Sequence, residues 1–462
     1  MRRSAAVARP LAVGIAVLAG ATSTAAAHAG SIEAATTTPP IPTWFVVLTA
    51  GVVVGSSFLF TSLMADHETL ELVNGLGLRG GLPGTLTDAL TVLLRLGSLA
   101  VLAGVVAVGL LGPTDPQASA AAMVVWVGWW GGFTMTTYLG GNSWPLLDPF
   151  RLLTAPLRGR EARVDYPREL GVWPAVVGLL GIVWLEVATG VSANPRLLAV
   201  VVIGYTLATL VGAAAIGRTR WFEAVDPITW IFRTYGRLAP VQRTGRGVEL
   251  RLPGAALTDS EVPATPGVPA FVVALLWATT FDGLVSTPPF QGVAAPLIRA
   301  GFPAPILYGG VLVAGFGLFY GVYRVACRRS RESAETFVTG TAIERWFAPS
   351  LVPIAAGYHL AHFLGYVVSL APALLETVQS PLSGTATIPI LLLPEWFGLV
   401  QLAFVLLGHL LAIWVAHSIA FDVFPGARQP IRSQYPMIVV MIGYTMVSAW
   451  VIVSPSTAVV LA

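Results

Sequence analysis

Long apolar stretches recur along the whole chain, and they restrict it to folds that cross a membrane. Ten of them have about the 20 residues that an α-helix needs to span the apolar core of a bilayer. Their approximate limits are 43–64, 89–112, 119–138, 171–190, 197–217, 268–289, 303–326, 346–371, 396–423 and 435–460. Only 11% of the residues are charged, against about a quarter in soluble proteins. The sequence therefore predicts an all-α, polytopic bundle of about ten transmembrane helices in a lipid bilayer.

The first 29 residues are organised like a secretory signal peptide. Arg2 and Arg3 give a positive start, residues 11–18 form a short apolar run, and the Ala-rich segment 25–29 offers small-residue cleavage sites. We therefore predict a signal peptide over residues 1–29, followed by a single transmembrane domain over residues 40–462. Its removal places the mature N-terminus outside the cytoplasm.

The arginines support this orientation. Every basic residue of the chain is Arg, and twenty of the 26 lie in or beside the loops that would face the cytoplasm. The loops on the other side hold two, Arg196 and Arg299. This bias follows the positive-inside rule. It predicts a multi-pass protein of the plasma membrane, with both termini outside and with short cytoplasmic loops at 139–170, 218–267 and 327–345.

Three loop segments have patterns of their own. Residues 218–240 alternate aromatic side chains with Arg, which favours an amphipathic helix near 220–238 in the inner interface, although a plain juxtamembrane linker has the same composition. Residues 140–153 contain two prolines and an Asp-Pro step, which indicate a broken or re-entrant segment. Residues 248–253 (VELRLP) alternate as a short strand does.

Two pairs of glycines lie four residues apart inside apolar stretches. They are Gly51 with Gly55 and Gly317 with Gly321. Small residues at this spacing let helix backbones approach one another in a membrane. We therefore expect both pairs to lie at helix contacts.

The motifs of several soluble enzyme classes are missing from the sequence. There is no Walker loop, because the chain has no Lys, and neither a G-x-S-x-G nor a Cys-x-x-Cys motif is present. Cys327 is the single cysteine, which excludes a disulfide framework. The topology explains the basic loops, so we predict no nucleic-acid partner.

A few ionisable residues fall inside the apolar stretches, where a charge is costly and usually functional. Those of similar depth are Glu186, Asp282, His359, His362 and His409. His359 and His362 are three residues apart and therefore about 60° apart on one helix face. His417 lies eight residues beyond His409, too far along a helix for one ion to bind both.

Three interpretations of this cluster remain open. In the first, His359, His362, His409 and Asp282 bind a transition metal of unknown identity, since imidazole and carboxylate suit several of them. In the second, one His from each of two helices holds a haem. In the third, the His and Asp side chains pair with one another, or relay protons or a substrate, without a metal.

Five strings look familiar as a set. They are YPRELGVWPAVVGLLGIVWLE (166–186), FEAVDPITWIFRTYGRLAP (222–240), TTFDGL (279–284), GYHLAHFLGY (357–366) and RSQYPMIVVMIGYT (432–445). They resemble a family of polytopic membrane proteins labelled fenitrothion hydrolase, and the resemblance runs from about residue 40 to about residue 455.

The resemblance implies a membrane-bound hydrolase of organophosphate esters. Its chemistry would be metal-dependent phosphotriester hydrolysis on a small hydrophobic substrate, with His359, His362 and His409 holding the metal and Asp282 or Glu186 acting as ligand or general base. Two other classes fit the same residues. One is a transporter of a metal ion or small solute with its site near the midplane. The other is a haem-binding membrane subunit, and a partner subunit stays open.

Overall fold

The structure, a computed structural model, describes residues 41–64, 67–80, 84–244, 247–259, 265–383, 388–426 and 428–461. The predicted signal peptide lies outside these residues. The helices of this part are α1 (Thr43–Met64), α2 (His67–Gly75), α3 (Gly84–Leu111), α4 (120–139), α5 (Trp144–Leu147), α6 (Pro149–Leu153), α7 (Trp173–Ala188), α8 (Pro195–Ile216), α9 (218–225), α10 (Pro227–Gly236), α11 (Val268–Val285), α12 (Pro288–Arg299), α13 (Ala304–Ser333), α14 (Gly340–Phe347), α15 (Val352–Gln379), α16 (Phe397–Val423) and α17 (Arg428–Val453).

The predicted all-α membrane bundle is confirmed in its coarse form. Within the described ranges, eight helical segments are long and apolar enough to cross a membrane, and each coincides with one of the ten predicted stretches. The other two stretches are helical as well. Residues 119–138 form α4, whose centre from Val124 to Phe133 is π-helical, and residues 171–190 form the shorter helix α7. The number of ten spans itself stays a prediction.

Burial separates central helices from peripheral ones. The apolar segment of α11 is 89% buried inside the protein and that of α14–α15 is 78% buried. The segments of α3, α8 and α13 are only 17–22% buried. Apolar side chains that the protein leaves uncovered are solvated by lipid in a bilayer. We therefore place α11 and α15 at the centre of the bundle, and α3, α8 and α13 at its lipid-facing rim.

The loop segments contain short helices and a small sheet. Segment 140–153 is broken as predicted, because α5 ends at Leu147 and the Asp148 side chain caps α6 by accepting from the Phe150 and Arg151 amides. Strand β1 (Gly77–Gly80) pairs antiparallel with β3 (Gly247–Arg251), and β3 pairs with β2 (Val241–Thr244). The predicted strand at 248–253 is thus the middle strand of this sheet.

The segment near 220–238 differs from the single interfacial helix that its composition favours. It forms two helices, α9 and α10, divided at Asp226, whose carboxylate caps α10 through the Thr229 amide. Nearly every residue of α10 is buried in the protein. Its aromatic side chains pack against α4 and α11, as Phe232 does on Phe133 and Trp230 does on Phe271, because the bundle offers them a protein surface in place of lipid.

Candidate functional site

Two central helices bring Asp282 and His362 into direct contact. His362 Nε2 of α15 lies 3.1 Å from Asp282 Oδ2 of α11, within ion-pair distance. The Asp282 side chain is 9% exposed and that of His362 is 21% exposed. The second carboxylate oxygen, Asp282 Oδ1, is buried without a hydrogen-bond partner in the described ranges. Two of the five residues that the sequence placed at similar depth, Asp282 and His362, are therefore in contact.

Glu186 adds a second carboxyl group to this pair from α7. Its side chain is buried, and it lies close enough to Asp282 for the two carboxyl groups to repel one another electrostatically. Glu186 Oε1 has no hydrogen-bond partner among the described residues. Two neighbouring buried carboxyl groups cannot both stay ionised at low energetic cost unless a positive charge lies near them.

Two tyrosines of α15 complete the same face of the helix. Tyr358 and Tyr366 flank His362 by four residues on either side, which places all three on one side of the helix. The Tyr358 ring stacks on the His362 ring with centroids 6.0 Å apart. The Tyr366 hydroxyl interacts electrostatically with both Glu186 and Asp282, and both hydroxyls are buried without a partner in the part described. The sequence analysis missed these tyrosines, although the four-residue spacing in GYHLAHFLGY would have indicated them.

His359 belongs to a different environment from His362. Its Nδ1 lies 3.0 Å from the Tyr138 hydroxyl of α4, and its ring is surrounded by Trp130, Tyr235 and Phe363 at centroid distances of 4.6–6.2 Å. The Trp130 carbonyl also faces the ring, whereas Nε2 makes no hydrogen bond of good geometry within the described residues. The two histidines are about 60° apart around the axis of α15, and this difference places His362 next to α11 and His359 next to α4.

His409 bonds within its own helix. Its Nδ1 donates to the Val405 carbonyl of α16 at 2.8 Å, which leaves Nε2 buried without a hydrogen-bond partner in the part described. The sequence spacing indicates that His417 is too far from His409 to share an ion with it. In the structure His417 lies beside Gln434 of α17, with His417 Nδ1 3.3 Å from Gln434 Oε1.

Asp282 and His362 form a contacting pair, and the Glu186 carboxyl group lies within electrostatic range of it. Over the residues that the structure describes, no three or more His, Cys, Asp or Glu side chains are arranged so that they could hold a metal ion. Asp282 and His362 supply two ligand types of the predicted metal site, while His359 and His409 have hydrogen bonds elsewhere. The predicted metal ligands, and the alternative of a haem held by two histidines, stay predictions.

A second pair of buried carboxyl groups lies outside the spans, beside α6 and α10. Burial, and secondly the negative charge of Asp226, raise the pKa of Asp148 to about 7, against the opposing effect of Arg151. Arg151 Nε lies 3.1 Å from Asp148 Oδ2. Asp226 accepts from the Tyr205 hydroxyl and from Thr229, and burial raises its pKa as well. Asp226 thereby joins α10 to α8 through Tyr205.

The raised pKa of Asp148 predicts a pH-dependent stability. The pKa of this carboxyl group is higher in the folded state than in the unfolded state, where it is near 4. The group therefore contributes its full stabilisation of the fold below pH 4, and this contribution is lost as the pH rises through about 7. Asp148→Asn removes the titration and keeps an N-cap side chain. We expect the melting temperature of the variant, measured by thermal unfolding in detergent, to rise relative to that of wild type as the pH is raised from 5 to 8. A difference that stays constant over this range would contradict the assignment.

The described structure is that of a multi-pass integral membrane protein. Inside it, His362 of α15 contacts Asp282 of α11, and the buried Glu186 of α7 lies within electrostatic range of Asp282. No protein-family model, curated protein or solved structure matches the chain.

Proposed function

We propose that the protein binds a proton at the centre formed by Glu186, Asp282 and His362, and that it carries protons across the membrane as a proton-coupled transporter. The observation that supports the proposal is the pair of buried carboxyl groups with unpartnered oxygens beside one imidazole. A bound proton supplies the positive charge that this arrangement lacks.

The position of the centre also fits transport. Glu186, Asp282 and His362 come from α7, α11 and α15, so a small displacement of one helix changes how many oxygens face the proton. Ionisable groups at membrane depth on separate helices are typical of ion and proton pathways. The Tyr358 and Tyr366 hydroxyls are buried without a hydrogen-bond partner in the described part, within electrostatic range of Asp282.

Flux measurements on reconstituted protein test the proposal. The protein is placed in liposomes that contain a pH-sensitive dye, and proton fluxes are compared for wild type, Glu186→Gln and Asp282→Asn. We expect each variant to lose at least about tenfold in flux, because each removes one of two charges that bind the proton. The matched control is Glu376→Gln, since Glu376 is exposed near the end of α15. Equal flux in wild type and both variants would refute the proposal.

Ester hydrolysis is the second candidate, and one contact favours it. Asp282 Oδ2 lies 3.1 Å from one ring nitrogen of His362, where a carboxylate can orient a general base. The five strings that resemble the fenitrothion hydrolase family include both residues. Hydrolysis of fenitrothion by detergent-solubilised protein, lost in His362→Gln and in Asp282→Asn, would select this function. Metal analysis of the same preparation against His359→Ala and His409→Ala tests the predicted metal ligands.

We also propose the plasma membrane as the location, with both termini outside. The distribution of Arg between the two sets of loops supports this orientation. Cysteine accessibility tests it, with single Cys residues placed at exposed Thr219 and exposed Phe302, which are predicted to lie on opposite sides.

A further inference from the structure

A basic cavity opens where α8 ends and α9 begins. It has a volume of about 350 Å³ and is lined by four arginines, Arg158, Arg160, Arg218 and Arg220, with Glu223 as its acidic residue. In the part of the chain that the structure describes, none of these arginines forms an ion pair with a carboxylate. The cavity therefore carries an excess of positive charge that the protein itself does not neutralise.

Two of the four guanidinium groups are held in place by neighbouring residues. Arg218 donates from Nε to Thr154 Oγ1 and from Nη2 to the Arg151 carbonyl, both at 3.2 Å. The Arg220 guanidinium lies over the Tyr166 ring, 5.9 Å from its centroid. Side chains that are already positioned lose less conformational entropy when they bind an anion.

The surroundings of Arg218 indicate the sign of the missing partner. Partial burial, and then the positive charges of Arg158, Arg151 and Arg95, lower the pKa of Arg218. An anion in the cavity would offset this repulsion, and a guanidinium group suits the paired oxygens of a phosphate.

The location of the cavity indicates where the anion comes from. The cavity lies at the last turn of α8, whose membrane segment is only 22% buried, so lipid reaches it along this helix. Leu157 and Ile216 give the cavity an apolar side next to the arginines. Its side of the membrane is the one on which the Arg-rich loops lie, and anionic lipids in that leaflet attract such clusters.

We propose that this cavity binds the phosphate of an anionic phospholipid headgroup. A second cavity, of about 570 Å³ at the junction of α13 and α14, provides the contrast within the same molecule. It also has three arginines, but three glutamates line it with them, and Glu344 pairs with Arg324 at 3.1 Å. Only the first cavity thus has the uncompensated charge that a phosphate requires.

Lipid retention measured by native mass spectrometry tests the proposal. Wild type and the variant Arg158→Gln/Arg160→Gln/Arg220→Gln are purified in detergent and offered equal amounts of phosphatidylglycerol and phosphatidylcholine. We expect wild type to retain phosphatidylglycerol about tenfold over phosphatidylcholine, and the variant to lose this preference. The control Arg328→Gln/Arg329→Gln/Arg331→Gln removes the same charge beside the second cavity and should keep the preference.

Two results would overturn the proposal. In the first, the control loses the preference as completely as the variant does, which would show general attraction to the basic surface. In the second, millimolar inorganic phosphate displaces the lipid and by itself raises the melting temperature of wild type but not of the variant. A soluble phosphate compound would then be the ligand in place of a lipid. Helix content by circular dichroism verifies that all three proteins are folded.

Discussion

Glu186→Met is expected to raise the free energy of unfolding by about 2 kcal/mol and to abolish proton flux at the same time. Glu186 is 4% exposed, one of its carboxyl oxygens has no hydrogen-bond partner in the described part, and the charge of Asp282 lies within electrostatic range. Met fills nearly the same volume without charge, so the cost of burying a carboxyl group disappears. Chemical unfolding in detergent measures the stability, and the liposome assay measures the flux.

The control for this prediction is Glu376→Met. Glu376 is exposed, so the same substitution there should change the free energy of unfolding by less than about 0.5 kcal/mol and leave flux intact. A loss of stability in Glu186→Met would mean that the carboxyl group contributes a stabilising contact and is not held at a cost for function.

Gly315→Ala is expected to lower the free energy of unfolding by about 3 kcal/mol. A Cβ atom at Gly315 of α13 would lie 2.0 Å from Cζ2 of Trp277, with two further ring atoms within 2.6 Å. The ring cannot easily move away, because Trp277 Nε1 donates to the Leu312 carbonyl at 2.8 Å and the ring packs on Phe319 at a centroid distance of 4.7 Å. Thermal unfolding of the detergent-solubilised protein measures the loss.

Gly317→Ala on the same helix is the matched control. Within the described residues, no heavy atom outside its own helix lies within 4 Å of a Cβ at Gly317. Ala there should stabilise by up to about 1 kcal/mol, because it restricts the unfolded chain and favours the helix. Similar losses in both variants would show that the close approach of Trp277 is not the cause.

The glycine positions show how far the sequence could be interpreted. The pair Gly51 and Gly55 faces Met446 and Ile442 of α17, as the four-residue spacing predicts. The pair Gly317 and Gly321 was expected at a contact and instead has nothing within 4 Å in the described part of the protein. The tight contact of α13 is at Gly315, and its cause is the size of Trp277 on another helix, which spacing along α13 does not encode.

The sequence indicates which buried residues can lie near one another, but it does not indicate the direction of each side chain. The length of an apolar run predicts how deep a residue lies in the bilayer, and Asp282 and His362, which were expected at similar depth, are in contact. The rotation of a helix about its own axis can be predicted only when one of its faces is distinctly polar. Helices α11 and α16 carry apolar residues on all sides, so their sequences do not indicate how each helix is rotated. For the same reason, the sequence of α16 does not indicate that His409 bonds to Val405 within this helix.

The aromatic surroundings of His359 were missed for a related reason. Tyr138 lies at the end of α4, after ten residues of π-helix that shift its angular position relative to a regular α-helix. The string VVWVGWWGGF at that place reads as an ordinary apolar span. The pairing of Tyr138 with His359 therefore depends on a backbone irregularity that hydropathy does not reveal.

The origin of the three central residues on α7, α11 and α15 has a consequence for biogenesis. In the predicted ten-span topology α7 precedes α11 and α15 along the chain, so Glu186 would enter the membrane before Asp282 and His362 do. Helix α7 has only 16 residues, so it gains little from its own apolar length. We therefore expect stable insertion of α7 to depend on helices translated later, and a chain truncated before α15 should be recognised by membrane quality control as incomplete.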